Sequence, residues 1–451
     1  MKRETNIEAV INATNISSGS IIYCSGNAAT PQVLLNQLAK DTSIEDVEMM
    51  SVLLLGDIDE LFSEETCSRI THRIIFNGPK SRTAMNKGWA RYQLIHLSDI
   101  PRQLREYLKP NIVFVSVSGP DNGGNFSLGT TVEGVLAAVK TVKEQNGLVI
   151  AERNARMPFV LGTTIHENDI DYIIDTDYDL PVSPVKTPDE RAEKIAELIA
   201  SLYVHDGCTL QYGIGEVPEA VTNAIIHKGV KDLGIRTELF ADAMRKLVEK
   251  GIVTNKYQNN HFSIATLFLA GNRGGYYWFD ANSSVQSRPS DKTNSILYIA
   301  QQPKMIAINS AIGVDLHGNI WADSLKAREI YSGVGGQADF LRGAYLSEGG
   351  VPIIAMKSTT GKGLSKILDK CPEGITTTAI AADPVIIVTE YGAFDPKGLS
   401  LTEHAVGIAH LAEPAARDAL LKHIFDSGVF YKPAQAFRRG RPKGFFPYEA
   451  L

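Results

Sequence analysis

The sequence predicts an α/β protein: two related α/β domains with mostly parallel sheets, arising from an internal duplication. Three observations predict it. Apolar strand-like runs alternate with helical stretches, the apolar runs are nearly continuous in Val and Ile, and three short segments recur in the same order in the two halves. Near-continuous Val/Ile runs are buried on both faces, which calls for a parallel sheet covered by helices.

The strand-like runs are NIVFVSV (111–117), GLVIAER (147–153), MIAINSA (305–311), VPIIAM (351–356) and PVIIVTEYG (384–392). Residues 131–145 and 189–203 read as helices between them. In the second, Ala192, Ile195, Ala196, Ile199 and Leu202 fall at helical spacing. The duplication rests on three matches. SSGSIIYCSGNAATPQVLLNQL (17–38) and HDGCTLQYGIGEVPEAVTNAII (205–226) share a turn, a short strand, a Gly-containing loop, a Pro and a helical pattern. GDIDELF (56–62) and GIRTELF (234–240) share Glu-Leu-Phe, and PDNGGNFSLG (120–129) and VDLHGNIWAD (314–323) share Asp-x-x-Gly-Asn. Ordered recurrence of this kind marks a repeat. The Pro-rich stretch DLPVSPVKTPDE (179–190) divides the halves near residue 185. The expected units are 1–185, 186–430 and a C-terminal tail, 431–451, whose FRRGRPKGFF (437–446) reads as a solvated charge run. Ligands are expected at strand carboxyl ends and between the domains.

Composition narrows the function classes. The chain has 451 residues, 45 basic against 51 acidic, with a net charge of −6, so nucleic acid is not an expected partner. The N-terminus has no apolar core of a secretory signal, and no apolar run reaches membrane-spanning length. Cys24, Cys67, Cys208 and Cys371 are scattered, which argues against a disulfide framework or zinc site and for a cytoplasmic location. No His/Cys/Asp set has metal-ligand spacing, and no G-x-S-x-G elbow occurs.

Four stretches can carry chemistry. LQYGIGEVPEAV (210–221) reads as a strand, a Gly-x-Gly loop and a helix with Pro218 in its first turn. Amides at such a turn can face an anion, while the missing third glycine argues against a dinucleotide fingerprint. YSGVGGQADFLRGA (331–344) places Gly335 and Gly336 where two amides could form an oxyanion hole, or merely a flexible turn. KSTTGKGLSKI (357–367) lacks phosphate-loop spacing, although its Lys, Ser and Thr groups could touch a phosphate. In LGIRTELFADAMRKL (233–247), Thr237 reads as a helix N-cap, Glu238 as a first-turn acid, and Phe240, Met244 and Leu247 as the apolar side. The residues alone leave open whether Glu238 is only that or the working group of an enzyme.

Taken together these motifs resemble the acetyl-CoA hydrolase/transferase family of CoA-transferases, with the 4-hydroxybutyrate and butyrate CoA-transferases as the branch most like it. The resemblance rests on FNGPKSRTAMNKGWARYQLIHLSDIP (76–101), DNGGNFSLG (121–129), LQYGIGEVPEAV (210–221), LGIRTELFAD (233–242), INSAIGVDLHGNIWADS (308–324), SGVGGQADFLRGA (332–344) and VTEYGAFDPKGLSLTEHA (388–405), in that order along nearly the whole chain. It implies a transferase that moves CoA from a short-chain acyl-CoA to a free carboxylate through a glutamyl-CoA thioester. The family's TE-x-x-x-D segment falls on Thr237, Glu238 and Asp242, so the resemblance assigns the nucleophile to Glu238. It makes Gly335 and Gly336 the candidate oxyanion donors. It places CoA contacts on Gly213, Ile214, Gly215, Glu216 and Val217, and further on Asn309 and Gln337. It further implies no tightly bound cofactor, coenzyme A as a substrate, and a homodimer or larger assembly. A hydrolase of the same fold and a non-catalytic CoA-binding protein are the alternatives; intact Glu238 and GVGGQ argue against the second. Three departures stand out. Arg236 replaces a His common in relatives, and as a fixed charge it is expected to lower the Glu238 pKa and favour an anionic acceptor. The segments 280–289, near the expected acyl pocket, and 410–418 also differ. Glu60, the first-half counterpart of Glu238, serves as an internal control.

Overall fold

All of the strands expected from the Val/Ile runs form, and they sort into two large sheets, one per half of the chain. The computed structural model describes residues 1–327 and 329–451. The first sheet has eight strands in the order Lys2–Glu4, Tyr172–Thr176, Leu148–Asn154, Ile112–Val117, Ile21–Cys24, Val47–Ser51, Ile70–Ile74 and Ala90–Tyr92. Every neighbouring pair in it is parallel. Ile112–Val117 is buried at every position, as a strand covered on both faces must be.

The second sheet runs Gly234–Ile235, Thr209–Tyr212, Met305–Asn309, Val351–Ala355 and Ile386–Thr389, all parallel. Two antiparallel strands, Gly392–Phe394 and Phe445–Pro447, extend its edge. The five parallel strands have the same spatial order as Val47–Ser51, Ile21–Cys24, Ile112–Val117, Leu148–Asn154 and Tyr172–Thr176 of the first sheet. The recurring Asp-x-x-Gly-Asn segments also adopt one geometry. Asp121 Oδ1 accepts the Gly123 and Asn125 amides, and Asp315 Oδ1 accepts the His317 and Asn319 amides. Gly124 and Gly318 take φ of +76° and +91° in these turns, a region open to glycine. The Glu-Leu-Phe match does not extend to local structure. Asp59–Phe62 is a single 3₁₀ turn with Glu60 exposed, whereas Leu239–Ala241 is a strand.

Helix Glu190–Tyr203 is capped by Asp189, whose carboxylate accepts the Ala192 amide at 2.9 Å. Its Ile195, Leu198 and Ile199 are fully buried. The C-terminal tail corrects the reading of a solvated charge run. Arg438, Arg439 and Arg441 are exposed on a short hairpin, but Phe445–Pro447 pairs with Gly392–Phe394, and Phe430 and Ala436 are buried. The aromatic residues that flank the charges supply apolar surface to bury, while the three arginines stay in solvent.

Phe240, Phe268 and Phe279 form a buried aromatic cluster in the second half, with ring centroids 5.3–6.3 Å apart. It fixes the strand pair Leu239–Ala241 and Leu267–Leu269. Phe268→Ala is expected to destabilise this half by roughly 3–5 kcal/mol, seen as a lower urea midpoint; a loss below 1 kcal/mol would show that the cluster is not a packing anchor.

Candidate active site

Glu238 sits where strands from three segments converge. Arg236 N–H donates to Leu210 O, and Thr237 N–H donates to Ile264 O. The Glu238 carbonyl accepts both the Thr266 and Leu267 amides, at 3.1 and 2.9 Å. This pairing corrects the expected helix start. The helix begins at Asp242, with Ala241 at its N-cap position, and Thr237 Oγ1 donates instead to Leu239 O at 3.1 Å. Cross-strand partners satisfy the backbone at 237–241, so tertiary context overrides the local capping signal.

A different helix end serves Glu238. Gly336 is the N-cap of helix Gln337–Leu346, and its amide reaches the Glu238 carboxylate. Asn294 Nδ2 donates to Oε2 at 3.0 Å. A Cβ on Gly336 would lie 2.0 Å from Glu238 Oε2 and 2.0 Å from Asn294 Nδ2, so any other residue there would push the two side chains out of their present positions. Gly335 has φ of +59°, and a Cβ there would lie 3.3 Å from Phe76 Cε2 and 3.7 Å from Glu238 Oε1. Burial pushes the Glu238 carboxyl up to about 7, while Asn294 and the Gly336 amide pull the other way. Asp339, in the first turn of the same helix, is likewise raised to about 7, by burial first and further by the charge of Glu238. The expectation that Arg236 lowers the Glu238 pKa is not met. Glu238 is raised, and Arg236 is not among the groups acting on it. The guanidinium lies over the Tyr298 ring, 5.9 Å from its centroid.

The first half of the chain holds the glycine loop in place. Asn77 N–H donates to Ser332 O, Leu97 N–H to Gly335 O, and Asn77 Nδ2 to Ile330 O. Ser98 Oγ donates to Asp339 Oδ1 at 2.8 Å. Gly333 packs so tightly that a Cβ would lie 2.6 Å from Ile75 O. The loop is therefore a clamped element, not a flexible turn.

In front of Glu238 lies a cleft of about 810 Å³, at the upper end of the range of small-molecule sites. It opens at the carboxyl ends of Thr209–Tyr212, Met305–Asn309 and Val351–Ala355, with Phe76 contributed by the first half. Every candidate residue named from the sequence lines it: Gly213 to Val217, Glu238, Asn309, and Gly335 to Gln337. Gly215, with φ of +125°, is the N-cap of helix Glu216–Lys228, so first-turn amides face the cleft. Glu216 pairs with Lys357, which also binds Asp189. Asn309 and Gln211 exchange side-chain hydrogen bonds, and Gln337 Nε2 is buried without a partner among the described residues.

Sequence reasoning missed Asn294, Gln211 and Phe76 as site residues. Nothing local marks Asn294, a single amide after a four-residue helix. Lys366 belonged to the stretch flagged for a phosphate. It lines the cleft, and burial lowers its pKa to about 8.

Family models for the acetyl-CoA hydrolase/transferase N-terminal and C-terminal domains match residues 4–185 and 271–424. The chain is 34% identical to a 4-hydroxybutyrate coenzyme A transferase of Clostridium kluyveri, over 94% of this chain and 97% of that one. It is 32% identical to a succinyl-CoA:acetate/propanoyl-CoA:succinate CoA transferase of Fasciola hepatica, over 91% and 86%. Among solved structures, RipA from Yersinia pestis superposes with a TM-score of 0.86 at 30% identity, covering 94% of this chain and 97% of that one. The chain belongs to the acetyl-CoA hydrolase/transferase family.

The raised Glu238 pKa has a stability consequence. A carboxyl that titrates near 7 when folded and near 4.5 when unfolded binds more protons in the native state between those values. Its contribution is fully present below about 4.5 and is lost as pH rises through 7. Glu238→Gln is thus expected to gain stability relative to wild type across that window, by up to about 3 kcal/mol before screening by cleft water. Denaturant titrations at pH 4.5 and pH 8 check this; a pH-independent difference would exclude a raised native pKa.

Proposed function

We propose that this member of the acetyl-CoA hydrolase/transferase family moves CoA from a short-chain acyl-CoA to a free carboxylate, with Glu238 as the covalent relay. The observation that carries the reading is the asymmetric hold on the carboxylate. Asn294 Nδ2 donates to Oε2 and the Gly336 amide reaches the carboxylate, while Oε1 lies on the side of Gly335 and Phe76. Asn294 anchors Oε2, and Oε1 is the oxygen assigned to attack.

In the proposed cycle, Oε1 adds to the thioester carbonyl and the CoA thiolate leaves, giving a mixed anhydride. The thiolate then attacks the glutamyl carbonyl, which expels the donor's carboxylate and leaves glutamyl-CoA. The acceptor carboxylate attacks that thioester, again releasing thiolate, and the thiolate attacks the new acyl carbonyl to regenerate Glu238. Each step exchanges one acyl bond for another, so the thioester energy is conserved. When the thiolate attacks the glutamyl carbonyl, negative charge develops on Oε2, the oxygen that Asn294 already holds, with the Gly336 amide beside the same carboxylate. Preorganised donors need no rearrangement at that moment, and one is worth roughly 3–4 kcal/mol. The amides of Gly213 to Val217, with Asn309, Gln337 and the cations Lys357 and Lys366, would receive CoA, whose remote binding energy drives the reacting groups together. A cytoplasmic setting and a homodimeric or larger assembly belong to the same proposal.

Incubation with acetyl-CoA, followed by mass spectrometry of the digested protein, is expected to find CoA mass on the peptide bearing Glu238. Glu238→Gln should lose the adduct and reduce exchange at least 10³-fold, on the order of losses when an essential group is removed. Glu60→Gln should leave both intact, and full exchange by Glu238→Gln would refute the relay. Partition of the adduct between acetate and water separates transferase from hydrolase.

The pH dependence follows from the same site. The attacking form is the carboxylate, so adduct formation is expected to rise with pH through about 7. Asn294→Ala removes a contact that lowers the pKa, so its rising limb should move to higher pH. A limb that stays in place would separate Asn294 from the ionisation of Glu238.

A further inference from the structure

Arg236 is buried, 7% exposed, and its Nε and Nη1 have no hydrogen-bond partner among the described residues. The charged group acting on it most strongly is another cation, Arg288, and burial together with that repulsion brings its pKa down to about 10. Among the described residues, no carboxylate pairs with Arg236, Arg288 or Lys292. Lys292 Nζ lies 5.7 Å from the centroid of the Tyr298 ring, the ring that also faces Arg236. Arg288 is oriented by its hydrogen bonds to Ser287 O and Gln286 Oε1. Three cations thus gather without a counter-charge, one of them buried. A buried guanidinium without a partner is strongly unfavourable, and a structure that keeps one has a place for an anion.

The position of the cluster says which anion. Arg236 is two residues from Glu238 along an extended segment, a span of roughly 6–7 Å. Asn294, two residues past Lys292, donates to Glu238 itself. None of the three cations lines the large cleft, so the cluster stands apart from the Gly213 to Val217 loop. Tyr298, which covers it, is 39% exposed, so the cluster sits just below the surface.

Resting on the transferase reading above, we propose that Arg236, supported by Arg288 and Lys292, recognises a second carboxylate on the acid that exchanges CoA. The acceptor is then a short dicarboxylate, with one carboxylate at Glu238 and the other at the guanidinium. An Arg fork can hold a carboxylate through two parallel N–H···O bonds, which selects for a dianion over a simple fatty acid.

The test measures initial-rate exchange from acetyl-CoA with succinate and with butyrate as acceptors, in wild type, Arg236→Met, Arg236→Lys and Arg288→Gln. The succinate-to-butyrate ratio of kcat/KM is expected to favour succinate in wild type. It should fall at least tenfold in Arg236→Met, through the KM for succinate, recover in part in Arg236→Lys, and fall in the same direction in Arg288→Gln. An unchanged ratio in these variants, or equal losses with both acids, overturns the proposal. If Arg236→Met does not fold, the ratio in Arg288→Gln decides in the same way. CoA adduct formation from acetyl-CoA alone is measured in parallel. Its absence from wild type would sink the transferase reading, whereas an adduct with no preference for succinate sinks only the dicarboxylate assignment.

Discussion

The contact on which the site depends is the pair of hydrogen bonds to Glu238, one from Asn294 Nδ2 and one from the Gly336 amide. Burial alone would keep this carboxyl protonated, and a protonated acid is a poor nucleophile. The two donors offset part of that penalty and leave the group near neutrality. They can do so only because Gly336 has no side chain and sits at a helix N-terminus, where its amide is unclaimed by the helix. That loop is in turn fixed by Asn77, Leu97 and Ser98 from the other half of the chain. The two-sheet architecture therefore reaches the chemistry through a few backbone contacts.

Other buried acids show that an unusual pKa does not by itself mark the site. Glu133 and Glu152 are also raised to about 7 by burial. Each is bonded to a tyrosine hydroxyl, Tyr23 and Tyr178, and neither lines the cleft. Glu238 differs in geometry. Its donors are an amide side chain and a helix-end amide, and it faces the space where a substrate can enter.

Where sequence signals failed, the reason is long-range contact. Thr237 has the chemistry of an N-cap, but strands 263–269 claim the backbone first. Asn294 becomes a partner of Glu238 only because a short helix ends beside it, at a sequence distance no local pattern spans. Arg236 looked like a neighbour that would tune Glu238. In the fold its guanidinium turns toward Tyr298 and Arg288, a residue of the 280–289 segment that also departs from the family pattern. The tail hairpin hid its sheet strand behind three arginines.

The sequence by itself determined the parallel α/β class, the strand runs, the glycine loops and, through resemblance, the identity of Glu238. These depend on periodicity, turn chemistry and motif order, all of which are local or written along the chain. Only the tertiary structure decided which donors hold the carboxylate and that, among the described residues, three cations meet without a carboxylate paired to them. Those facts depend on distances between segments far apart in sequence, and burial and hydrogen-bond geometry exist only once the segments are packed.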